Sequence, residues 1–301
     1  MTNPNDRVET AGTPALSVVI PIYNERDAAG DTILQLADTL RDSGCEFEII
    51  AVDDCSNDGT TEILGKLRCD GLRVVRHGHN KGYGAALKTG VRASAHPVVV
   101  ITDADGTYPN HLIPELARML GDRDMIVGAR TGKNVRIPLI RRPPKWFIGQ
   151  LANYLARYKI PDINSGLRVF RKSTLLEYLS ILPDGFSFTT TITLAMLTRG
   201  HEVDYLPIDY ARRKGKSKIR PVYDTLNFIQ LIIRTVLLFE PLRVFLPIAF
   251  IMLLAGAGAF VYSYFWLDKL LDATVVLCVF GSLQILSIGM IADMLNRRLN
   301  R

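Results

Sequence analysis

Two long stretches near the end of the chain carry no charged residue, Val244 to Leu267 and Ala273 to Ala292. Each is long enough for a helix to cross the ~30 Å hydrocarbon core of a bilayer, which takes roughly 20 apolar residues. Between them stands Asp268-Lys-Leu-Leu-Asp272, enough for a tight hairpin and nothing more. Gly256, Gly258, Gly281 and Gly289 suit close helix packing in lipid. Arg243 flanks one outer end, and Arg297, Arg298 and Arg301 flank the other, so the positive-inside rule expects both ends in the cytoplasm. The expectation is a two-helix transmembrane hairpin over 241–301 rather than a pair of buried core helices.

Just upstream, Tyr223 to Phe239 is apolar on most of its circumference, with Asn227, Gln230 and Arg234 at helical spacing on one side. It reads as an amphipathic interfacial helix within 222–240, or as a core helix of the preceding domain. At the other end, Met1 to Arg7 is polar, unlike a secretory signal, and 1–14 is expected to be disordered. Residues 15–221 have the size of one domain. The scattered cysteines, Cys45, Cys55, Cys69 and Cys278, have no metal-ligand spacing and read as reduced thiols of a cytosolic domain. The histidines show no metal spacing either and read as structural or solvated. A net charge of +6 fits anionic partners such as nucleotides, phosphates or a membrane surface.

Within that domain, apolar runs alternate with helical patterns. Leu16–Ile22, Glu48–Val52, Leu72–Arg76 and Pro97–Ile101 read as strands. Ala28–Arg41 reads as a helix with Ile33, Leu36, Ala37 and Leu40 on one face, and Gly84–Ala95 as another. Such alternation means a mainly parallel sheet with helices on both faces, and ligands then sit at the carboxyl ends of the strands. Tyr23-Asn-Glu25, Asp53, Asp54, Asp103 and Asp105 all follow strands, so they converge on one edge.

Asp103-Ala104-Asp105 leaves a strand with two carboxylates that, in extended backbone, project to one side. Like charges so placed ask for a cation between them. Taken alone the pair could be a solvated turn, as could Asp53-Asp54 beside Asn57, Asp58 and Gly59. Asn80-Lys-Gly-Tyr-Gly84 has neither Walker nor GxGxxG spacing, and reads as a phosphate cradle or as a helix-start loop.

Ser17-Val-Val-Ile-Pro-Ile-Tyr-Asn-Glu25, Val52-Asp-Asp-Cys-Ser-Asn-Asp-Gly-Thr60, Asn80–Gly84, Asp103–Asp105, Asn164-Ser-Gly-Leu-Arg168 and Arg212-Arg-Lys-Gly-Lys-Ser-Lys218 follow one another in order. Together they resemble the family 2 glycosyltransferases of the GT-A fold, most nearly the polyprenyl-phosphate hexose synthases that include dolichol-phosphate mannose and glucose synthases. The resemblance covers about 16–220, and the two-span tail fits it. It implies an α/β GT-A nucleotide-sugar-binding domain at 15–221, then the interfacial helix and the hairpin.

The resemblance also implies roles. Asp105 would hold Mg²⁺ or Mn²⁺, with Asp103 nearer the ribose and nucleotide, Ala104 between them, and Thr107 where some members place a Gln metal ligand. Pro21, Tyr23, Glu25, Val52 and Asp54 would meet the base and ribose. Arg130 and Arg141 would clamp phosphates, and Pro143-Pro-Lys-Trp146-Phe147 would face the membrane. Arg212 and Lys218 would belong to a loop closing over the donor diphosphate, unless they form a plain basic run drawn to anionic lipid. Asp162 sits where other members place a base, and could instead orient the acceptor or support its loop.

The expected activity is inverting transfer of a hexose from UDP-hexose or GDP-mannose to polyprenyl phosphate at the cytoplasmic membrane face. The partners are the nucleotide sugar, the lipid phosphate and the bilayer, with no nucleic acid and with a homo-oligomer left open. One alternative is a polysaccharide synthase of the same fold, against which Gln230 and Arg234 have the wrong spacing and no Trp. Another is a non-catalytic nucleotide-sugar-binding partner of a flippase or transporter.

Overall fold

The computed structural model describes residues 13–132, 150, 153–154, 157–185, 187–211, 230–237, 239–266 and 272–299. The N-terminal stretch expected to be disordered lies, up to residue 12, outside them. The strands are β1 (Leu16–Ile22), β2 (Phe47–Asp53), β3 (Leu72–Arg76), β4 (Val98–Ile101), β5 (Met125–Ala129), β6 (Arg168–Arg171) and β7 (Val203–Pro207). They form one sheet in the order β3-β2-β1-β4-β6-β5-β7. β6 pairs antiparallel with both β4 and β5, and the other pairings are parallel. The carboxyl ends of six strands therefore meet the amino end of β6 on a single edge.

Burial explains the order. β1, at the middle, is apolar except for Ser17 and is buried throughout, as a strand covered on both faces requires. β3 at the sheet edge carries Arg73 and Arg76 and stays largely exposed, which blunts the edge against further pairing. Pro21 cannot donate to a ladder, and it lies beyond Val19, where the β1–β4 pairing stops.

The helices are α1 (Ala29–Asp42), α2 (Thr60–Lys66), α3 (Tyr83–Ala93), α4 (Ile113–Leu120), α5 (Lys172–Tyr178), α6 (Phe188–Thr198), α7 (Leu242–Trp266) and α8 (Asp272–Leu299). α1 buries Ala29, Ile33, Leu36, Ala37 and Leu40 at helical spacing, the face expected from the sequence. With α4 it covers the sheet face of Val18 and Ile20. α3, α5 and α6 cover the other face around Val19, Val99 and Phe170. Each apolar side chain taken wholly out of water there contributes about 1.5–3 kcal/mol before entropy is subtracted.

α7 and α8 are long and apolar enough to cross a membrane. They approach closely at small residues: a Cβ on Gly256 would lie 2.8 Å from the Cys278 Cβ, and one on Gly289 2.7 Å from the Phe245 Cβ. Gly258 does not share this role, since a Cβ there would meet open space. Outward-facing Phe250, Ile251, Phe265, Trp266, Leu277 and Phe280 are all exposed, an apolar surface that water does not favour. Residues 230–237 are helical, and Ile232, Thr235 and Val236 are buried while Gln230 and Arg234 are exposed. That buried side packs on Leu194 of α6 and on Ile160. The rest of the Tyr223–Phe239 stretch, up to residue 229, lies outside the described residues.

Candidate active site

The acidic pair leaves β4 directly. Thr32 of α1 donates its hydroxyl to the Ala104 carbonyl at 3.1 Å, pinning the backbone between the two carboxylates. Asp103 accepts from the buried Tyr83 hydroxyl at 3.0 Å. Burial and the nearby Asp103 charge push the Tyr83 hydroxyl well above its ordinary pKa, so it stays a donor. Asp103 also stands over Gly166, where a Cβ would come within 2.8 Å of Asp103 Oδ2. Asp105 is held from its own turn: Thr107 donates to Oδ1 through its backbone N–H at 3.1 Å and its hydroxyl at 2.6 Å. The Thr107 hydroxyl thus supports the Asp105 carboxylate.

Among the described residues, no group of three or more His, Cys, Asp and Glu gathers to hold a metal. The fitting chemistry is that of two carboxylates. A hard divalent ion bound to nucleotide phosphates takes one or two such ligands and completes its shell with phosphate and water. Asp103 and Asp105 fit that donor set.

Opposite them, Arg130 follows β5 and Asp162 precedes β6. Arg130 grips Asp162 through Nε at 2.7 Å, Nη2 at 3.0 Å and its backbone N–H at 3.0 Å, and Asn164 N–H adds a bond at 3.1 Å. Burial would raise the Asp162 carboxyl, but Arg130 outweighs it and holds the group below the usual carboxylate range. Burial likewise works to lower Arg130, and Asp162 outweighs it, so Arg130 stays charged. The Arg130 guanidinium also lies 5.2 Å above the Tyr210 ring, whose edge meets Tyr108. Tyr108 in turn accepts from Gly166 N–H at 2.6 Å, fastening the loop before β6 to the turn after β4.

The base-side residues lie at the ends of β1 and β2. Tyr23 keeps 41% of its surface exposed, an aromatic face open to stacking. Glu25 is half-buried beside it, its backbone N–H donating to Thr60 Oγ1 at 3.1 Å. Pro21 and Val52 are both buried, Val52 within the core. Asp53 is a turn former, accepting from Ser56 N–H at 2.9 Å and the Thr61 hydroxyl at 2.6 Å. Asp54 anchors the Asn80–Gly84 loop, accepting from Lys81 N–H at 2.9 Å and Gly82 N–H at 2.8 Å, with His77 Nδ1 at 2.6 Å.

The glycines of that loop have a packing reason. Gly82 has φ 101°, and a Cβ on it would come within 2.5 Å of the Asp184 carbonyl oxygen; one on Gly84 would collide with the Pro183 carbonyl. The loop starts α3 and sits tightly against residues 183–185.

Three supporting residues escaped the sequence reading: Tyr83, Tyr108 and Arg168. Arg168 is wholly buried, and its guanidinium donates to the Ser165 carbonyl at 2.7 Å, the Ile163 carbonyl at 2.9 Å and the Thr193 hydroxyl at 2.6 Å. A signal existed for all three, since Tyr83 and Arg168 fall inside the quoted motifs and Tyr108 just after one. Arg141, Arg212, Lys218, Trp146 and Phe147 lie outside the described residues. An apolar cavity lined by Pro97, Leu120 and Leu176 opens at the opposite end of β4 and gathers none of the site residues.

Comparison with known proteins matches these features to a family. The model of glycosyl transferase family 2 matches residues 17–179, and that of the GtrB C-terminal hairpin matches 240–297. A dolichyl-phosphate hexose transferase of Haloferax volcanii is 34% identical over 208 residues, covering 68% of this chain and 87% of that protein. An undecaprenyl-phosphate mannosyltransferase of Micrococcus luteus is 27% identical over 212 residues, covering 67% and 86%. Glucosyl-3-phosphoglycerate synthase from Mycobacterium tuberculosis, solved with Mn²⁺, UDP-glucose and phosphoglyceric acid, superposes with a TM-score of 0.55 at 18% identity, over 74% of this chain and 79% of that one. That likeness is one of fold, a GT-A-like sheet. The chain is a glycosyltransferase and belongs to glycosyl transferase family 2, with a GtrB-type hairpin at its end.

Proposed function

We propose that the chain transfers one hexose, with inversion, from a nucleotide sugar to the phosphate of a polyprenyl phosphate at the cytoplasmic face of a membrane. The observation that carries this choice of acceptor is the closed Arg130–Asp162 pair. Asp162 stands where a hydroxyl-directed relative would keep its base, yet both oxygens are engaged and its carboxyl is held low. Such a group takes up a proton poorly near neutral pH. A phosphate monoester, with a second pKa of about 6, brings its own negative charge and asks for no base. The names of the two relatives, which specify dolichyl phosphate and undecaprenyl phosphate, support the same class. So do two apolar helices that would keep the domain beside lipid.

In this reading Asp103 and Asp105 would hold Mg²⁺ or Mn²⁺, which would supply positive charge to neutralise a leaving diphosphate. Tyr83 and Thr107 keep the two carboxylates aimed. Tyr23 offers its exposed face to the base, and UDP-hexose is favoured weakly over GDP-mannose. Arg141, Arg212 and Lys218 are the candidates for phosphate clamps, because Arg130 is already engaged. An acceptor phosphate oxygen attacks the anomeric carbon from the side opposite the diphosphate, and one displacement gives a β-linked polyprenyl-phosphate sugar from an α-linked donor.

The test is an extraction assay on purified protein with Mg²⁺ or Mn²⁺. Labelled UDP-glucose, UDP-N-acetylglucosamine and GDP-mannose are each offered with and without polyprenyl phosphate. Label entering the organic phase only when the lipid is present supports the reading and names the sugar. Transfer to a hydroxyl-bearing lipid lacking phosphate would overturn it.

A further inference from the structure

The hairpin and the loop before β6 are held by opposite ends of one helix. α6 is buried from Phe188 through Met196. In its first turn Thr190 donates its hydroxyl to Asn164 Oδ1, and Thr193 accepts from Arg168 Nη1 at 2.6 Å. Asn164 belongs to the loop that also presents Asp162 and Gly166, and Arg168 opens β6 directly after it. Toward its other end, Leu194 and Leu197 pack with Ile232 and Val236 of the 230–237 helix and with Val244 of α7.

Just past α6, Arg199 stands between two rings, 5.3 Å from the Phe239 centroid and 5.6 Å from that of Tyr178. Phe239 is held a second time from the hairpin, since Asn296 of α8 donates its Nδ2 to the Phe239 carbonyl at 2.7 Å. The residue at the entrance to the hairpin is thus gripped by its ring from the soluble domain and by its backbone from α8.

We infer that Arg199, Phe239 and Asn296 form a joint that fixes how the catalytic edge meets an acceptor held in a bilayer, which makes them positioning residues for lipid-borne acceptors. The inference rests on the lipid-phosphate reading above. A nucleophile tethered in a membrane arrives at one height and from one side, and a misplacement of about 1 Å can cost on the order of 100-fold in rate. A domain hanging on a loose tether would sample many heights. A guanidinium between two aromatic faces, with an amide bond on the same residue, removes that freedom. The joint also sits on the helix that holds the acceptor-side loop, so alignment with the membrane and the shape of the loop share one rigid element. An acceptor dissolved in water can approach from any side and gains nothing from the joint.

The experiment uses the full chain in proteoliposomes. Wild type, Arg199→Ala, Phe239→Ala and Asn296→Leu are assayed with a long-chain polyprenyl phosphate in the bilayer and with a short-chain, water-soluble prenyl phosphate added from solution. Arg199→Ala and Phe239→Ala should lower kcat/KM for the bilayer acceptor about fivefold, while kcat/KM for the soluble acceptor and KM for the nucleotide sugar stay within about twofold. Arg199→Lys and Phe239→Tyr should recover most of the loss. Asn296→Leu, which changes only the hairpin side, should show the same split and keeps the test open if a soluble-domain variant fails to fold. Equal losses with both acceptors, or no loss with either, would overturn the joint and leave the lipid-phosphate reading standing. A wild type that transfers to neither acceptor would overturn that reading and the joint with it.

Discussion

Arg130 reaches Asp162 three times, with Nε at 2.7 Å, Nη2 at 3.0 Å and its own backbone N–H at 3.0 Å. Because the folded carboxyl lies below its unfolded value of about 3.9, the pair stabilises the fold above that pH and the gain is lost as pH falls through the folded value. Near pH 7 Asp162 therefore contributes no titration to activity. The acid limb of kcat/KM should follow the acceptor phosphate near pH 6 and keep its position in Asp162→Asn, with overall activity reduced. That variant strands a largely buried guanidinium, at a cost of about 3 kcal/mol. A pH–rate profile of both proteins checks this; an acid limb present in wild type and missing in Asp162→Asn would make Asp162 a base after all.

Thr107 donates twice to Asp105 Oδ1, so its contribution should be felt through that carboxylate. Removing the hydroxyl leaves the backbone bond and frees the carboxylate to rotate. Thr107→Ala should weaken the apparent Mn²⁺ affinity roughly tenfold, the effect of losing a partner behind a metal ligand, and Thr107→Ser should restore it. Metal titrations followed by transfer rate and by nucleotide binding give the comparison. Unchanged affinity in Thr107→Ala would place Asp105 away from the metal.

The parts of the fold that were legible were those in which one physical signal dominated. β4 is an unbroken apolar run and β1 is interrupted only by Ser17, and the two stretches without charge near the end could hardly be anything but long helices. β6 was not legible, because Arg168-Val-Phe-Arg171 is short and bounded by arginines that look like surface residues. Arg168 lies buried between Ile101 and Val127 only because β6 inserts between β4 and β5, and no local pattern announces that insertion. The same insertion brings Arg130 to Asp162 across 32 positions of sequence. Hence the acidic pair could be placed after a strand from the sequence, while the hold of Arg130 on Asp162 could not. The helix at 230–237 stayed ambiguous for a related reason: an apolar stripe does not say whether lipid or Leu194 will cover it.

Gly166 has no room for a side chain on its Asp103 side. An added Cβ would lie 2.8 Å from Oδ2 and 3.1 Å from Cγ, and the Tyr83 hydroxyl already fixes that carboxylate through Oδ1. Gly166→Ala should therefore move Asp103 or the loop, with an overpacking cost of about 1–3 kcal/mol. Transfer should fall more than thermal stability, by at least tenfold in kcat/KM if most of that cost is felt at the carboxylate, since 1.4 kcal/mol corresponds to about tenfold. Tyr83→Phe, which releases Asp103 without crowding it, should lose less, about 1 kcal/mol for the missing hydrogen bond. Kinetics and melting curves of both variants decide the order, and a larger loss in Tyr83→Phe would contradict it.

Arg168 presents the opposite balance, a buried charge whose hydrogen-bond partners among the described residues are neutral. Burial pushes its pKa down from the ordinary arginine value, though not far enough to discharge a guanidinium. Replacing it by methionine of similar reach relieves the desolvation of the charge but strands the Ile163 and Ser165 carbonyls, at about 1–3 kcal/mol each. The two effects oppose one another in global stability, so Arg168→Met should melt within a few degrees of wild type, about 2–4 °C per kcal/mol of imbalance. They do not oppose one another in the loop itself. Without its two carbonyl anchors, the segment from Asp162 to Gly166 loses the restraint that places Asp162 on Arg130 and Gly166 under Asp103. Transfer should fall at least tenfold while nucleotide-sugar binding at the β1–β2 end changes little. Isothermal titration with the nucleotide sugar, run beside the transfer assay and a melting curve, separates these. A large drop in melting temperature with kcat preserved would make Arg168 a prop of the core and nothing more.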